Sequence, residues 1–191
     1  CSSCHRGNHL TDEAFHALAM VQIGPGVRRP TNGFGNDTAR DGTDFGRWEA
    51  TRRRTDRYAF RTPGLLNVAL TAPYGHAGAY ATLTEIIEHH LDPHGAVARF
   101  DFSLAGLKQF RSGGVQYPAA AAHTRAALAE VSLPAKRALT ATQLRDLVAF
   151  LEALTDPCAA SPSCLAPWMP DGDKRGPDGR GLIARFHDSP N

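Results

Sequence analysis

The stretch Cys1-Ser2-Ser3-Cys4-His5, "CSSCH", decides how the rest of this chain is read. Two cysteines separated by two residues could be a redox dithiol, half of a zinc site or a disulfide, and the histidine directly after the second one narrows the choice. C-x-x-C-H is the pattern of covalent haem attachment. Thiols a few residues apart can add across the two vinyl groups of one porphyrin, and the adjoining imidazole then reaches the iron from one face. Cys1 and Cys4 are therefore the expected thioether anchors of a haem c, with His5 its proximal ligand. A zinc half-site would need a second ligand pair, whereas the other two cysteines, Cys158 and Cys164, are spaced C-x5-C and lie far along the chain. A thioredoxin-like dithiol should follow a strand and open a helix within a βαβ pattern, a context this stretch lacks.

The whole chain allows one good core, or one core with a substantial appendage. It has 191 residues, 42% hydrophobic and 21% charged, a globular composition. A net charge of +2 is too balanced to argue for nucleic acid, and no apolar run is long enough to span a bilayer. The haem motif stands without the helix that usually precedes it in cytochrome c domains, and no signal peptide is present. A processed chain, or a piece of a longer polypeptide, is expected. In "TDPCAASPSCLAPW", Cys158 and Cys164 are bracketed by Pro157 and Pro162 and could close a short loop as a disulfide, or remain two buried thiols. Haem attachment and a disulfide both point to the periplasm.

Residues 6 to 45 are rich in Gly, Asn, Asp, Thr and Pro and read as a long wrapping loop, with a short helical suggestion over Thr11 to Met20. A covalently held porphyrin would staple such a loop down. In "TLTEIIEHHL", Thr82 and Glu85 form a capping box, and Leu83, Ile86, Ile87 and His90 follow at helical spacing, so residues 83 to 91 should be helical. Pro93 and Gly95 should stop that helix. Thr140 and Gln143 form a second capping box, and Leu144, Leu147, Val148, Leu151 and Leu154 predict an amphipathic helix from about 141 to 154. "FSLAGLKQF" and the alanine-rich "AAAAHTRAALAEV" favour helix as well. No β-alternation and no internal repeat stand out. Two units are expected: a haem domain over residues 1–156 and a Pro/Gly-rich tail over 157–191.

Three stretches in order carry a resemblance: "CSSCH" with "TDEAFH", then "FRTPGLLNVALTAPYGHAGAYATLTEIIEHH", then "LTATQLRDLVAFLEALT". Together they resemble the C-terminal haem domain of bacterial di-haem cytochrome c peroxidases and their MauG-type relatives, and the central stretch is the specific part. The ending "DPC…CLAPW" is similar to the MbnH-like branch. The resemblance implies a mainly α, cytochrome c-like haem domain with long loops and an irregular C-terminal tail. It implies a second haem in an N-terminal domain, where hydrogen peroxide reacts, while the haem held here is six-coordinate and relays electrons. A redox donor protein or a protein substrate is the implied partner. A plain single-haem electron-transfer cytochrome is the alternative.

Relatives place a methionine or a tyrosine as sixth ligand on the helix after "ALTAPY"; the matching position here is His90. His89 is its neighbour, about 100° away around a helix, so only one of the two can face the iron. Met20 and Met169 are the other candidates. His76 in "APYGHAGAY" matches a family motif residue and either orders its own Gly-rich turn or stands near the porphyrin edge. In "RWEATRRRTDRYAFR", Arg47, Arg52, Arg53, Arg54, Arg57 and Arg61 read as a solvated face, from which one or two could clamp haem propionates and others steer a donor protein. The family also binds calcium between its domains. That implies Thr62 as the nearest candidate, since Asp37, Asp41 and Asp44 lack the spacing of an EF-hand loop.

Overall fold

A computed structural model describes residues 1–24, 43–104, 107 and 117–169. Its architecture is mainly helical. Strand β1 (Phe15–Ala17) and helix α1 (Trp48–Thr51) precede strand β2 (Ala59–Arg61). Helices α2 (Leu83–Leu91), α3 (Pro93–Arg99), α4 (Ala120–Glu130), α5 (Ala141–Ala153) and α6 (Pro162–Leu165) follow. Much of the expected "FSLAGLKQF" helix, part of the wrapping loop and the end of the tail lie outside the described residues.

Local chemistry fixes both ends of α2. The Thr82 hydroxyl accepts the Glu85 backbone N–H at 3.2 Å, and the Glu85 carboxylate accepts the Thr82 N–H at 2.8 Å. Each side chain thus satisfies a donor that the first turn would otherwise leave open. Asp92 ends the helix and at once caps the next one, its carboxylate accepting the Gly95 N–H at 3.0 Å. Helix α2 ends at Leu91, ahead of Pro93 and Gly95 as expected, and a further helix begins at once. Pro93 occupies the first turn of α3, where its missing N–H costs nothing. Thr140 and Gln143 cap α5 in the same reciprocal way as Thr82 and Glu85.

The segment read as a short helix at Thr11 to Met20 contains strand β1, paired antiparallel with β2 in the register Phe15↔Arg61, His16↔Phe60 and Ala17↔Ala59. The Thr11 hydroxyl accepts the Glu13 N–H and the Asp12 carboxylate accepts the Ala14 N–H, so these side chains offer the backbone turns in place of helix. Glu13 and Ala19 have φ of 55° and 47°, left-handed values that interrupt any helix here. Three-residue strands are too short to show alternation, and β1 finds its partner more than forty residues away. Gly46 makes the close approach to β2 possible: with φ +62°, a Cβ there would stand 2.4 Å from the Ala59 carbonyl oxygen.

The core gathers Val21, Ile23, Tyr74, Tyr80, Leu83, Ile87, Val97 and Leu151. Helix α5 presents Leu144, Leu147, Val148 and Leu151 to it, as their three- and four-residue spacing requires. Asn67 ties the far end of α5 back, donating its N–H to the Leu154 carbonyl and accepting from the Asp156 N–H at 2.7 Å. Beyond α5 the chain forms α6, a short turn over Ala166–Trp168, and a disulfide between Cys158 and Cys164.

Because the Thr82 cap anchors the helix that carries both adjacent histidines, Thr82→Ala should lower stability by about 1 kcal/mol in chemical denaturation. Thr82→Ser, which keeps the acceptor, should restore most of it.

Candidate functional site

The cysteine motif forms a single turn. The N–H groups of Cys4 and His5 both point to the Cys1 carbonyl, at 3.1 and 2.9 Å, which brings the two thiols and the imidazole into one neighbourhood. Cys1 and Cys4 are unbridged, the first exposed and the second half-buried. The His5 Nδ1 lies 2.9 Å from the Leu10 carbonyl oxygen. A carbonyl only accepts, so Nδ1 carries the proton and donates it, leaving the Nε2 lone pair open. This is how a backbone carbonyl orients and enriches a metal-ligating imidazole.

His90 repeats the arrangement on α2. Its Nδ1–H donates to the Ile86 carbonyl at 2.7 Å, one turn back, and its Nε2 has no hydrogen-bond partner among the described residues. Burial pushes its pKa down, the Ile86 bond partly offsets this, and the charge of His5 pushes it down further. The charge of His5 is thus felt at His90. A neutral imidazole with a free Nε2 is the form that binds a metal.

His89 is different in kind. It is fully buried, and both ring nitrogens are engaged: Nε2–H donates to the Leu18 carbonyl at 2.9 Å, and Nδ1 accepts the Tyr80 hydroxyl proton at 2.6 Å. Burial lowers its pKa to about 4, so the ring is neutral near pH 7. No lone pair is left to offer an iron. Sequence reasoning weighed His89 only as a rival ligand and did not see Tyr80 or Leu18, since a backbone carbonyl leaves no mark in a sequence.

One other donor cluster competes for Cys4. Its thiol, the Asp12 carboxylate and the His16 ring lie within 4.8 Å of one another, a zinc-type set. His16 Nε2 and Asp12 are, however, already bonded at 2.8 Å, and this bond is the main reason the Asp12 carboxyl is held down to about 2. A thioether at Cys4 and a metal thiolate exclude each other. The zinc set also leaves unexplained the two imidazoles, His5 and His90, that keep Nε2 open. The residues fit a covalently held haem.

No family model matches the chain. It is 33% identical over 87 residues to cytochrome c551 peroxidase of Pseudomonas aeruginosa, covering 46% of this chain and 22% of that protein. Against cytochrome c peroxidase Ccp of Escherichia coli it is 40% identical over 83 residues, 44% of this chain and 16% of the relative. MauG, the methylamine utilization protein of Methylorubrum extorquens, matches at 28% over 91 residues, 48% of this chain and 21% of MauG. Among solved structures, a MauG-like protein associated with microbial copper homeostasis superimposes with a TM-score of 0.55 at 30% identity, over 88% of this chain and 46% of that one. Its relatives are thus cytochrome c peroxidases and MauG, with a MauG-like structural neighbour, a set that supports the di-haem peroxidase and MauG family. The matches cover less than a quarter of the length of these curated relatives and 46% of the solved neighbour's chain.

The remaining residues singled out from sequence make contacts of their own. His76 stacks on Phe60, with ring centres 3.7 Å apart, and lies 3.9 Å from Asp44; burial lowers its pKa and Asp44 partly offsets that. These contacts order the turn that Tyr74 and Tyr80 close with paired backbone bonds. Met20 packs half-buried against the core, and Met169 ends the Ala166–Trp168 turn. The Thr62 carbonyl accepts the Thr11 hydroxyl at 2.7 Å, so one of its two lone pairs is already used.

The arginine run is largely satisfied internally. Arg57 pairs with Glu130 at 2.7 Å and covers the Phe45 ring. Arg52 pairs with Glu49 and covers Trp48, Arg47 pairs with Asp56 and covers Phe15, and Arg61 pairs with Glu13. Arg53 and Arg54, both exposed, have no ion pair among the described residues. A shallow recess lined by Trp48, Arg52, Arg54, Arg57 and Glu130 opens between α1 and α4.

Alkylation of the denatured, unreduced chain separates the two cysteine pairs. Haem-free protein should show two reactive thiols and haem-loaded protein none, with two more appearing in each after reduction. Four thiols before reduction would refute the Cys158–Cys164 bridge.

Proposed function

We propose that this chain is the C-terminal, electron-relay haem domain of a periplasmic di-haem oxidoreductase. In this reading hydrogen peroxide reacts at a second haem in an N-terminal domain, and the enzyme is a peroxidase or a MauG-type oxidase. The observation that carries the reading is the matched pair of imidazoles, His5 and His90, each donating Nδ1–H to a carbonyl and keeping Nε2 free. Cys1 and Cys4 would hold the haem through thioethers, and His5 and His90 would supply nitrogen ligands to its iron. The bound haem supplies reversible one-electron storage.

The chain's own residues set what that storage can do. Two nitrogen ligands leave no open position for peroxide, which suits a relay and not a peroxide site. A second imidazole in place of a thioether favours the ferric state and lowers the potential. The carbonyls of Leu10 and Ile86 hold both imidazoles oriented, so electron transfer demands little rearrangement. Electrons would come from a redox donor protein or a protein substrate. Calcium between the two domains, with the Thr62 carbonyl as one ligand, belongs to the same proposal. The periplasmic assignment draws support from the disulfide and from covalent haem attachment. No helix among the described residues is long and apolar enough to cross a membrane.

The test is the ferric electron paramagnetic resonance spectrum of the full mature protein. Wild type should show one low-spin signal from this domain and a second haem elsewhere on the chain, and His90→Ala should convert the low-spin signal to high-spin. A low-spin signal that persists in His90→Ala would remove His90 as ligand. A single haem in the mature protein would leave a simple electron-transfer cytochrome in place of an enzyme.

A further inference from the structure

The buried polar link at His89 serves no ligand role in the reading above, yet both of its ring nitrogens are hydrogen-bonded. It joins three parts of the chain. The ring sits on the helix of His90, one nitrogen meets the hydroxyl of Tyr80 just before that helix, and the other meets the carbonyl of Leu18 just after β1. Leu18 belongs to the same short segment whose Leu10 carbonyl orients His5. Between those two carbonyls the segment is pinned by the β1–β2 pairing.

We infer that His89, with Tyr80 and the Leu18 carbonyl, is a positioning residue that sets the rotation of α2 and thereby aims His90 at the iron held by His5. This rests on the function proposed above. Successive helix residues point about 100° apart, so fixing the direction of His89 fixes that of His90. Rotating α2 would strand a buried imidazole, a buried phenol and a carbonyl without partners, a penalty that locks the helix in one orientation. Among the described residues the hydroxyl of Tyr80 is the donor that Nδ1 meets, and the ring must keep Nε2–H for Leu18, so the link has a single polarity. One segment, residues 10–18, therefore spaces both ligands: through Leu10 it holds His5, and through Leu18 and His89 it holds His90.

The polarity suggests the decisive substitution. Glutamine carries one acceptor and one donor, so His89→Gln can take the Tyr80 proton on its oxygen and give its amide hydrogen to Leu18; leucine can do neither. In the full haem-loaded protein, His89→Leu should lose most of the low-spin ferric signal of this domain. His89→Gln should retain most of it, and Tyr80→Phe should keep it low-spin with shifted g values, because the angle of the His90 ring relaxes. Thermal unfolding and haem content of each variant separate loss of aim from loss of fold. If His89→Leu does not load haem, His89→Gln and Tyr80→Phe still decide.

Wild-type g values in Tyr80→Phe would overturn the brace, as would an undiminished low-spin signal in His89→Leu. So would a His89→Gln that loads haem, melts like wild type and yet loses the signal, since the imidazole itself would then be required. A His90→Ala variant that stays low-spin counts against the ligand assignment, and is read from a different protein.

Discussion

A backbone carbonyl accepts hydrogen bonds and never donates them, and three histidines of this chain are oriented by that constraint. Leu10, Ile86 and Leu18 each present an oxygen to an imidazole, and each thereby decides which nitrogen keeps its proton. For His5 and His90 the bond falls on Nδ1 and the open lone pair is Nε2. For His89 the bond falls on Nε2, and Tyr80 takes up the remaining nitrogen. Chemically identical side chains are thus sorted into two with a ligand to give and one without.

The rest of the fold supports that sorting. The capping box at Thr82 and the Asp92 corner fix where α2 begins and ends, and Leu83 and Ile87 bury its apolar face in the core. The small sheet holds the segment that supplies two of the three carbonyls, and Gly46 allows the chain to pass close over β2. The core is modest for a chain with such long irregular stretches, and much of its surface order comes from polar links. Arginines covering aromatic rings while paired to carboxylates close one side of the molecule without lengthening any helix.

Much of this was legible in the sequence. The two capping boxes and the spacing of leucines and isoleucines located α2 and α5 to within a residue, because helix ends and faces are local properties of ten or fifteen positions. The alanine-rich stretch likewise formed α4. Three features escaped. Strand β1 was read as part of a helix, since its three residues mean nothing without their distant partner. Helix α3, which Pro93 opens directly after α2 stops, was not foreseen, because the Asp92 cap that makes the corner is a matter of side-chain geometry. The arginine run looked like a free charged face, and its acidic partners Glu13 and Glu130 come from remote parts of the chain.

By itself the sequence determined the chemistry available: two thiols and an imidazole in one turn, a pair of adjacent histidines on a capped helix, and two further cysteines set close between prolines. These are facts of spacing along a chain, and spacing along a chain survives without a fold. Only the tertiary structure decided which of His89 and His90 keeps a free nitrogen. That choice depends on Leu18, 71 residues from His89, arriving beside it with an oxygen to fill. Burial then makes the choice binding, because a polar group withdrawn from water must keep whatever partner the fold supplies.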